Sequence, residues 1–193
     1  IEHLTNYYKK FGIGRYPTSI MLPAREGFLP HSSQFTLRDK VSSCYGYGVT
    51  LSALQIAQAY SVFANEGNFI ELNLFKDHSF DEPLHEKVLQ KETNDIVLDM
   101  LVETVNSSNG TASKARLQEK IVAGKTGTAK ESLEEETTYS ATFAGFVPYD
   151  EPEYLAVVVL NGLSGEDYSG GRVSAPVFSR LMQQIFMLQD LKI

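Results

Sequence analysis

Cysteine is almost missing from this chain. Cys44 is the only one, which excludes an internal disulfide framework and any multi-cysteine metal knot. With no histidine near it in sequence, Cys44 is expected to be a packed small apolar residue rather than a nucleophile. Positive charge is also in deficit: 17 Lys and Arg stand against 24 Asp and Glu, for a formal charge of -7. There is then no basic field to hold nucleic acid or an anionic membrane surface, and neither is expected as a partner. Long apolar runs are missing too, so no segment reads as a spanning helix. The opening, Ile1 to Lys10, mixes Glu2, His3, Lys9 and Lys10 with apolar residues and does not read as a signal peptide. Any element that secretes or anchors a parent protein is expected upstream of Ile1. The 4 histidines, His3, His31, His78 and His85, show no ligand spacing. No metal and no cofactor is expected.

What is present is enough for one core. At 193 residues, with 42% hydrophobic and 21% charged content, the composition is that of a folded globular domain or part of one. Ile1 to Phe11 reads as a helix that breaks at Gly12 and Gly14. Arg15 to Ser43 reads as a long irregular stretch, with Pro17, Pro23, Pro30 and Gly27 and little periodicity. Leu51 to Asn65 reads as a mostly buried helix, with Leu54, Ile56, Ala57, Tyr60, Val62 and Phe63 apolar and Ser52-x-x-Gln55 available as a capping box. A second helix is predicted from about Glu92 to Asn106, with Ile96, Val97, Met100, Leu101 and Val105 on one side.

The period then changes to that of strands. Ile121 to Ala123, Tyr139 to Val147 and Tyr154 to Leu160 read as strands. Tyr149-Asp150-Glu151-Pro152 is the turn between the last two, which makes them antiparallel. Ala175 to Leu188 reads as a closing helix, with Ser174 and Pro176 at its start and Val177, Phe178, Leu181, Met182, Ile185 and Phe186 as its stripe. Helices, then a strand meander, then a helix is the order of a segregated α+β fold, an antiparallel sheet packed against helices.

The run Ala123-Gly124-Lys125-Thr126-Gly127-Thr128-Ala129 carries the most chemistry. A phosphate-binding loop would need a glycine where Glu119 stands and a helix where the acidic, loop-like Glu131 to Glu136 follows. The alternative is the Lys-Thr-Gly element of active-site serine transpeptidases and β-lactamases, which works with Ser-x-x-Lys and Ser-x-Asn companions. On a strand edge its physics is clear. Gly127 lets a substrate approach the backbone and lie along it as an added strand. Lys125, Thr126 and Thr128 offer a cation and two hydroxyls to a carboxylate, and are expected to face one cleft. A strand-edge turn with an exposed lysine would give the same few residues.

Further segments decide between these readings. Tyr8-x-x-Phe11-Gly12-x-Gly14, Leu22-Pro23 and Gly27-x-Leu29-Pro30 come first, followed by Tyr45-Gly46-Tyr47-Gly48 with Leu54-Gln55-Ile56-Ala57 and Ala59-Tyr60. Asn109-Gly110-Thr111-Ala112 with Ala115 precedes the lysine run. Ala144-Gly145-Phe146-Val147-Pro148, Tyr168-x-Gly170-Gly171 and Ala175-Pro176-Val177-Phe178 follow it. In this order they resemble the class B penicillin-binding proteins of the septal cell-division type. Residues 1–193 look like the C-terminal part of one transpeptidase domain, with the fold of penicillin-binding proteins and serine β-lactamases.

The resemblance implies a role for each matching residue. Lys125 would polarise the site and attract the substrate carboxylate, and Thr126 and Thr128 would hydrogen-bond that carboxylate. The Thr128 N–H would be one of two oxyanion-hole donors. Gly127 would permit close approach, and Tyr168, Gly170 and Gly171 would border the cleft. A Gly-Gly turn with a packing tyrosine is the plainer reading of those last three. The implied reaction is cross-linking of peptidoglycan stem peptides ending in D-Ala-D-Ala through a serine acyl-enzyme. The implied setting is a periplasmic domain of an inner-membrane-anchored protein, with a septal glycosyltransferase and other division proteins as partners and β-lactams as inhibitors.

Two departures stand out. The nucleophile Ser-x-x-Lys and the Ser-x-Asn element are expected upstream of Ile1. Ser107-Ser108-Asn109 satisfies Ser-x-Asn only as a string and falls where the family has a glycine-rich loop. Ser52-Ala53 stands where the family usually has Thr-Pro. A β-lactam hydrolase or sensor, or a catalytically silent fragment, is the alternative to a synthase.

Overall fold

The computed structural model describes residues 2–14, 27–29, 36–73, 85–133 and 136–191. Pro17, Pro23, Pro30, His31, His78, Glu134 and Glu135 lie outside the described residues. The chain divides into two compact units, Ile1–Lys91 and Glu92–Ile193. Each is taken separately.

The first unit holds helices α1 (Glu2–Lys10), α2 (Leu37–Ser43) and α3 (Ala53–Ala64) and a small antiparallel pair, β1 (Asn68–Ile70) with β2 (His85–Lys87). Its core is Val62, Phe69, Val88 and Leu89, with Phe11 and Phe63 against it. The predicted capping box of α3 is formed: Gln55 N–H donates to Ser52 Oγ at 3.2 Å and Ser52 N–H to Gln55 Oε1 at 3.0 Å. The fully buried line of α3 is mostly polar, Gln55, Gln58, Ser61 and Val62, while the apolar stripe stays half-covered. Gln58 explains why: its side chain donates to Ile70 O at 2.5 Å and accepts from Leu72 N–H at 2.9 Å, tying down the chain after β1.

α2 corrects the reading of 15–43 as irregular throughout. Thr36 and Asp39 cap each other reciprocally, with Asp39 N–H on Thr36 Oγ1 at 3.2 Å and Thr36 N–H on Asp39 Oδ2 at 2.9 Å. The Thr36 hydroxyl also donates to Asp39 Oδ2 at 2.7 Å, and this bond together with that of the Thr36 N–H holds the Asp39 carboxyl below its usual range. Cys44, at the end of α2, is exposed rather than packed, its Sγ 3.3 Å from Lys40 O.

The second unit contains α4 (Lys91–Asn106), a short 3-10 turn at Ser113–Ala115, strands β3 (Ala123–Leu133), β4 (Glu136–Val147) and β5 (Tyr154–Leu163), and α5 (Gly170–Asp190). The strands form an antiparallel sheet in the order β3-β4-β5. This is the α+β architecture expected, but its strands are longer. Ile121 and Val122 precede β3, which begins at Ala123 and carries the whole Lys-Thr-Gly-Thr run through to Leu133. Glu131 is therefore in a strand and not in a loop.

α5 packs on one face of the sheet. Its core partners are Val105, Val122, Phe143 and Val147, which meet Ala175, Phe178 and Met182. The Phe143 and Phe178 rings meet edge-on at 4.7 Å between centroids. α4 turns Asn94, Leu101 and Val105 inward and leaves Ile96 and Met100 exposed. Ile96 and Leu101 are five residues apart, more than a quarter-turn round the helix, so they do not share a face.

α5 starts at Gly170, ahead of the predicted Ala175, so Pro176 lies inside the helix and not at its first turn. Removing the Phe178 ring should open a cavity at the centre of this unit. Phe178→Ala is expected to cost about 3–5 kcal/mol, read as a fall in the urea midpoint.

Candidate active site

The site is built on the outer edge of β3. In an antiparallel pair the main-chain groups of alternate residues face the partner strand and the rest face away. α4 shows which set faces away here. Asn106 Nδ2 donates to Val122 O at 2.8 Å, and the Thr104 hydroxyl donates to Gly124 O. The even-numbered residues therefore present their main chain to the outer edge. α4 occupies that edge as far as Gly124; beyond it, among the described residues, no strand pairs with the outer edge at Thr126 and Thr128.

The pleat sorts the side chains. Thr126 pairs with Phe143 and Thr128 with Ala141, so both hydroxyls lie on the face that α5 covers. Lys125 and Gly127 pair with Ala144 and Thr142 and lie on the opposite face. The lysine and the threonines do not project into one cleft as expected, because successive strand residues alternate. They meet only along the edge. Lys125 is exposed, and its Nζ donates to Thr126 O at 3.0 Å, curling back over the strand.

Each hydroxyl has a neighbour. Thr126 Oγ1 is 3.3 Å from Thr111 Oγ1. Thr128 Oγ1 accepts the Gly170 N–H at 3.2 Å. Tyr168, in the connection before α5, stacks on Tyr139 of β4 with ring centroids 3.9 Å apart and planes 14° from parallel. Asp167 in the same connection is bridged to Arg172 at 2.8 Å, an exposed pair that contributes little. Tyr168, Gly170 and Gly171 are thus gathered over the same stretch of β3 and β4 as the threonines.

Thr104, Asn106, Thr111 and Tyr139 were not singled out in the sequence. Thr111 lies within the Asn109-Gly110-Thr111-Ala112 segment, where its hydroxyl carries no sequence signal of its own. Ser107-Ser108-Asn109 forms the turn that ends α4, where the Ser107 carbonyl accepts from Arg116.

The two glycines of the lysine run differ in kind. A Cβ on Gly124 would stand 2.6 Å from the Phe143 ring and 2.7 Å from Ala144 O. A Cβ on Gly127 would meet nothing nearer than Thr142 Cβ at 3.7 Å. Gly124 is required by packing, whereas among the described residues nothing fills the space over Gly127.

A profile of the penicillin binding protein transpeptidase domain matches residues 1–183. The chain belongs to the penicillin-binding protein transpeptidase family. Among curated transpeptidases it is 34% identical to peptidoglycan D,D-transpeptidase FtsI of Buchnera aphidicola over 100% of this chain and 34% of that protein. It is 29% identical to the FtsI of Escherichia coli over 98% of this chain and 32% of that protein. The chain therefore spans about a third of the length of these relatives. The transpeptidase domain of penicillin-binding protein 3 from Burkholderia pseudomallei superposes with a TM-score of 0.84 at 29% identity, covering 100% of this chain and 58% of that one.

Gly124→Ala should overpack the β3–β4 pair at a cost of about 1–3 kcal/mol, whereas Gly127→Ala should stay within about 0.5–1 kcal/mol of wild type. Thermal unfolding of both variants reads the difference.

Proposed function

We propose that the whole protein to which this chain belongs is a serine D,D-transpeptidase that cross-links peptidoglycan stem peptides during septal cell-wall synthesis, and that residues 1–193 are the C-terminal part of its one transpeptidase domain. The observation that carries this reading is the unpaired outer edge of β3 at Thr126 to Thr128. A stem peptide ending in D-Ala-D-Ala lies antiparallel along that edge as an added strand. Its terminal carboxylate is held by the Thr126 and Thr128 hydroxyls and drawn in by Lys125, and the space over Gly127 admits its backbone.

The nucleophile is a serine hydroxyl from residues outside this chain. Its oxygen attacks the carbonyl between the two D-alanines while its proton passes to a neighbouring base. The carbonyl oxygen takes the negative charge and is held by two backbone N–H groups, one of them that of Thr128. The C–N bond breaks, the terminal D-alanine leaves as an amine carrying a proton, and an ester to the serine remains. An amine of a neighbouring stem then attacks this ester, forms the new amide and returns the serine hydroxyl. A β-lactam follows the first half of this path and is trapped as the ester.

The names of the relatives support the septal role. A periplasmic location, an inner-membrane anchor outside this chain, and division proteins including a septal glycosyltransferase as partners follow from the same reading. Among the described residues no helix is long and apolar enough to cross a membrane.

Intact mass before and after incubation with penicillin tests the reading. The whole protein should gain one adduct, and the 21.5 kDa chain alone none. Lys125→Ala in the whole protein should slow acylation by about a hundredfold or more. An adduct that is lost within minutes would instead identify a β-lactam hydrolase, and a whole protein that takes no adduct would overturn the acyl-enzyme altogether.

A further inference from the structure

The geometry points to Gly170 as a positioning residue. Its N–H fixes the Thr128 hydroxyl as an acceptor on one side, so that the hydroxyl proton is left to be donated to a substrate carboxylate at the edge of β3. The inference rests on the transpeptidase reading and deepens it.

Gly170 opens α5, where the first N–H groups have no partner within the helix. Ser169, the residue before it, makes no side-chain cap. The Gly170 N–H goes to Thr128 Oγ1 at 3.2 Å instead. A hydroxyl has one proton to give and two lone pairs to receive with. Accepting from Gly170 turns the proton of Thr128 away from α5. Among the described residues no protein acceptor meets that proton, and Thr128 is exposed. An anion arriving along the edge therefore finds a donor already aimed and does not have to reorient it.

The contact depends on the lack of a side chain at two positions. A Cβ on Gly170 would stand 2.3 Å from Thr142 O and 2.6 Å from Gly127 O. A Cβ on Gly171 would stand 2.2 Å from Thr111 O. The first turn of α5 thus rests directly on the backbone of β3, of β4 and of the Thr111 segment. An alanine at position 170 must lift that turn and lengthen the bond to Thr128. The neighbouring Thr126 keeps its own contact with Thr111, so the change acts on one hydroxyl of the pair.

The test uses the whole protein and two probes, benzylpenicillin and its methyl ester, which lacks the carboxylate charge. Gly170→Ala is expected to slow acylation by benzylpenicillin about tenfold, as is Thr128→Val, the loss of one hydrogen bond to a charged group. Acylation by the ester should change less than about twofold in either variant, and the double variant should be no slower than the slower single one. Should Gly170→Ala fail to fold, hydrogen exchange supplies the answer. The Gly170 amide should be protected in wild type and in Thr128→Ser, and lose protection in Thr128→Val. A wild-type protein that takes no penicillin overturns the transpeptidase reading and this inference with it. A labelled wild type overturns this inference alone if Gly170→Ala keeps its rate, if both probes slow equally, or if Gly170 exchange ignores Thr128→Val.

Discussion

The register between β3 and β4 is the constraint on which the rest of the second unit depends. Gly124 lies opposite Gly145 and Thr126 opposite Phe143. The Phe143 ring crosses the glycine pair so closely that a Cβ on either would meet it within 3 Å. A slip of one residue would put side chains where those glycines stand and turn the threonines to the face now held by Lys125. The same ring packs on Phe178 of α5. The core contact that anchors the helix is therefore also the contact that sets which residues of the lysine run face it.

α4 and α5 complete this arrangement from two sides. α4 uses polar residues of its last turns, Thr104 and Asn106, to hold the first carbonyls of the outer edge. α5 seats its first turn on the strands through Gly170 and Gly171. Between these two clamps lies a short stretch of strand with no partner strand among the described residues. Cohesion comes from apolar burial between α5 and the sheet, and geometry comes from a few polar contacts along the outer edge.

Much of this was legible in the sequence where local chemistry alone decides. The capping box at Ser52 and Gln55, the helix near Glu92 to Asn106 and the strand meander follow from spacing and residue type. The family was legible in the order of its segments. What was not legible depends on contacts distant in sequence. The start of α5 at Gly170 defeats a reading by propensity, since two glycines begin a helix poorly, and they stand there because β3 and β4 at Gly170, and the Thr111 carbonyl at Gly171, approach too closely for a Cβ. The length of β3 was hidden because its charged end, Lys130 and Glu131, is carried by pairing with β4 and not by apolar alternation. The split of Lys125 from the two threonines is implicit in the alternation of strand residues, and the shared cleft expected of them neglects it. Thr111 and Tyr139 carry no signal without the fold, for each matters only through what is brought beside it. The aromatic stack of Tyr139 on Tyr168 joins residues far apart in the chain.

Unpaired strand edges are where copies of a protein stick together. Lys125, Lys130 and Glu131 are exposed along β3, and the chain as a whole carries a formal charge of -7. A second copy approaching the same edge meets like charge and the desolvation of those side chains. The charges along β3 thus also serve colloidal stability, opposing edge-to-edge association of copies of the protein.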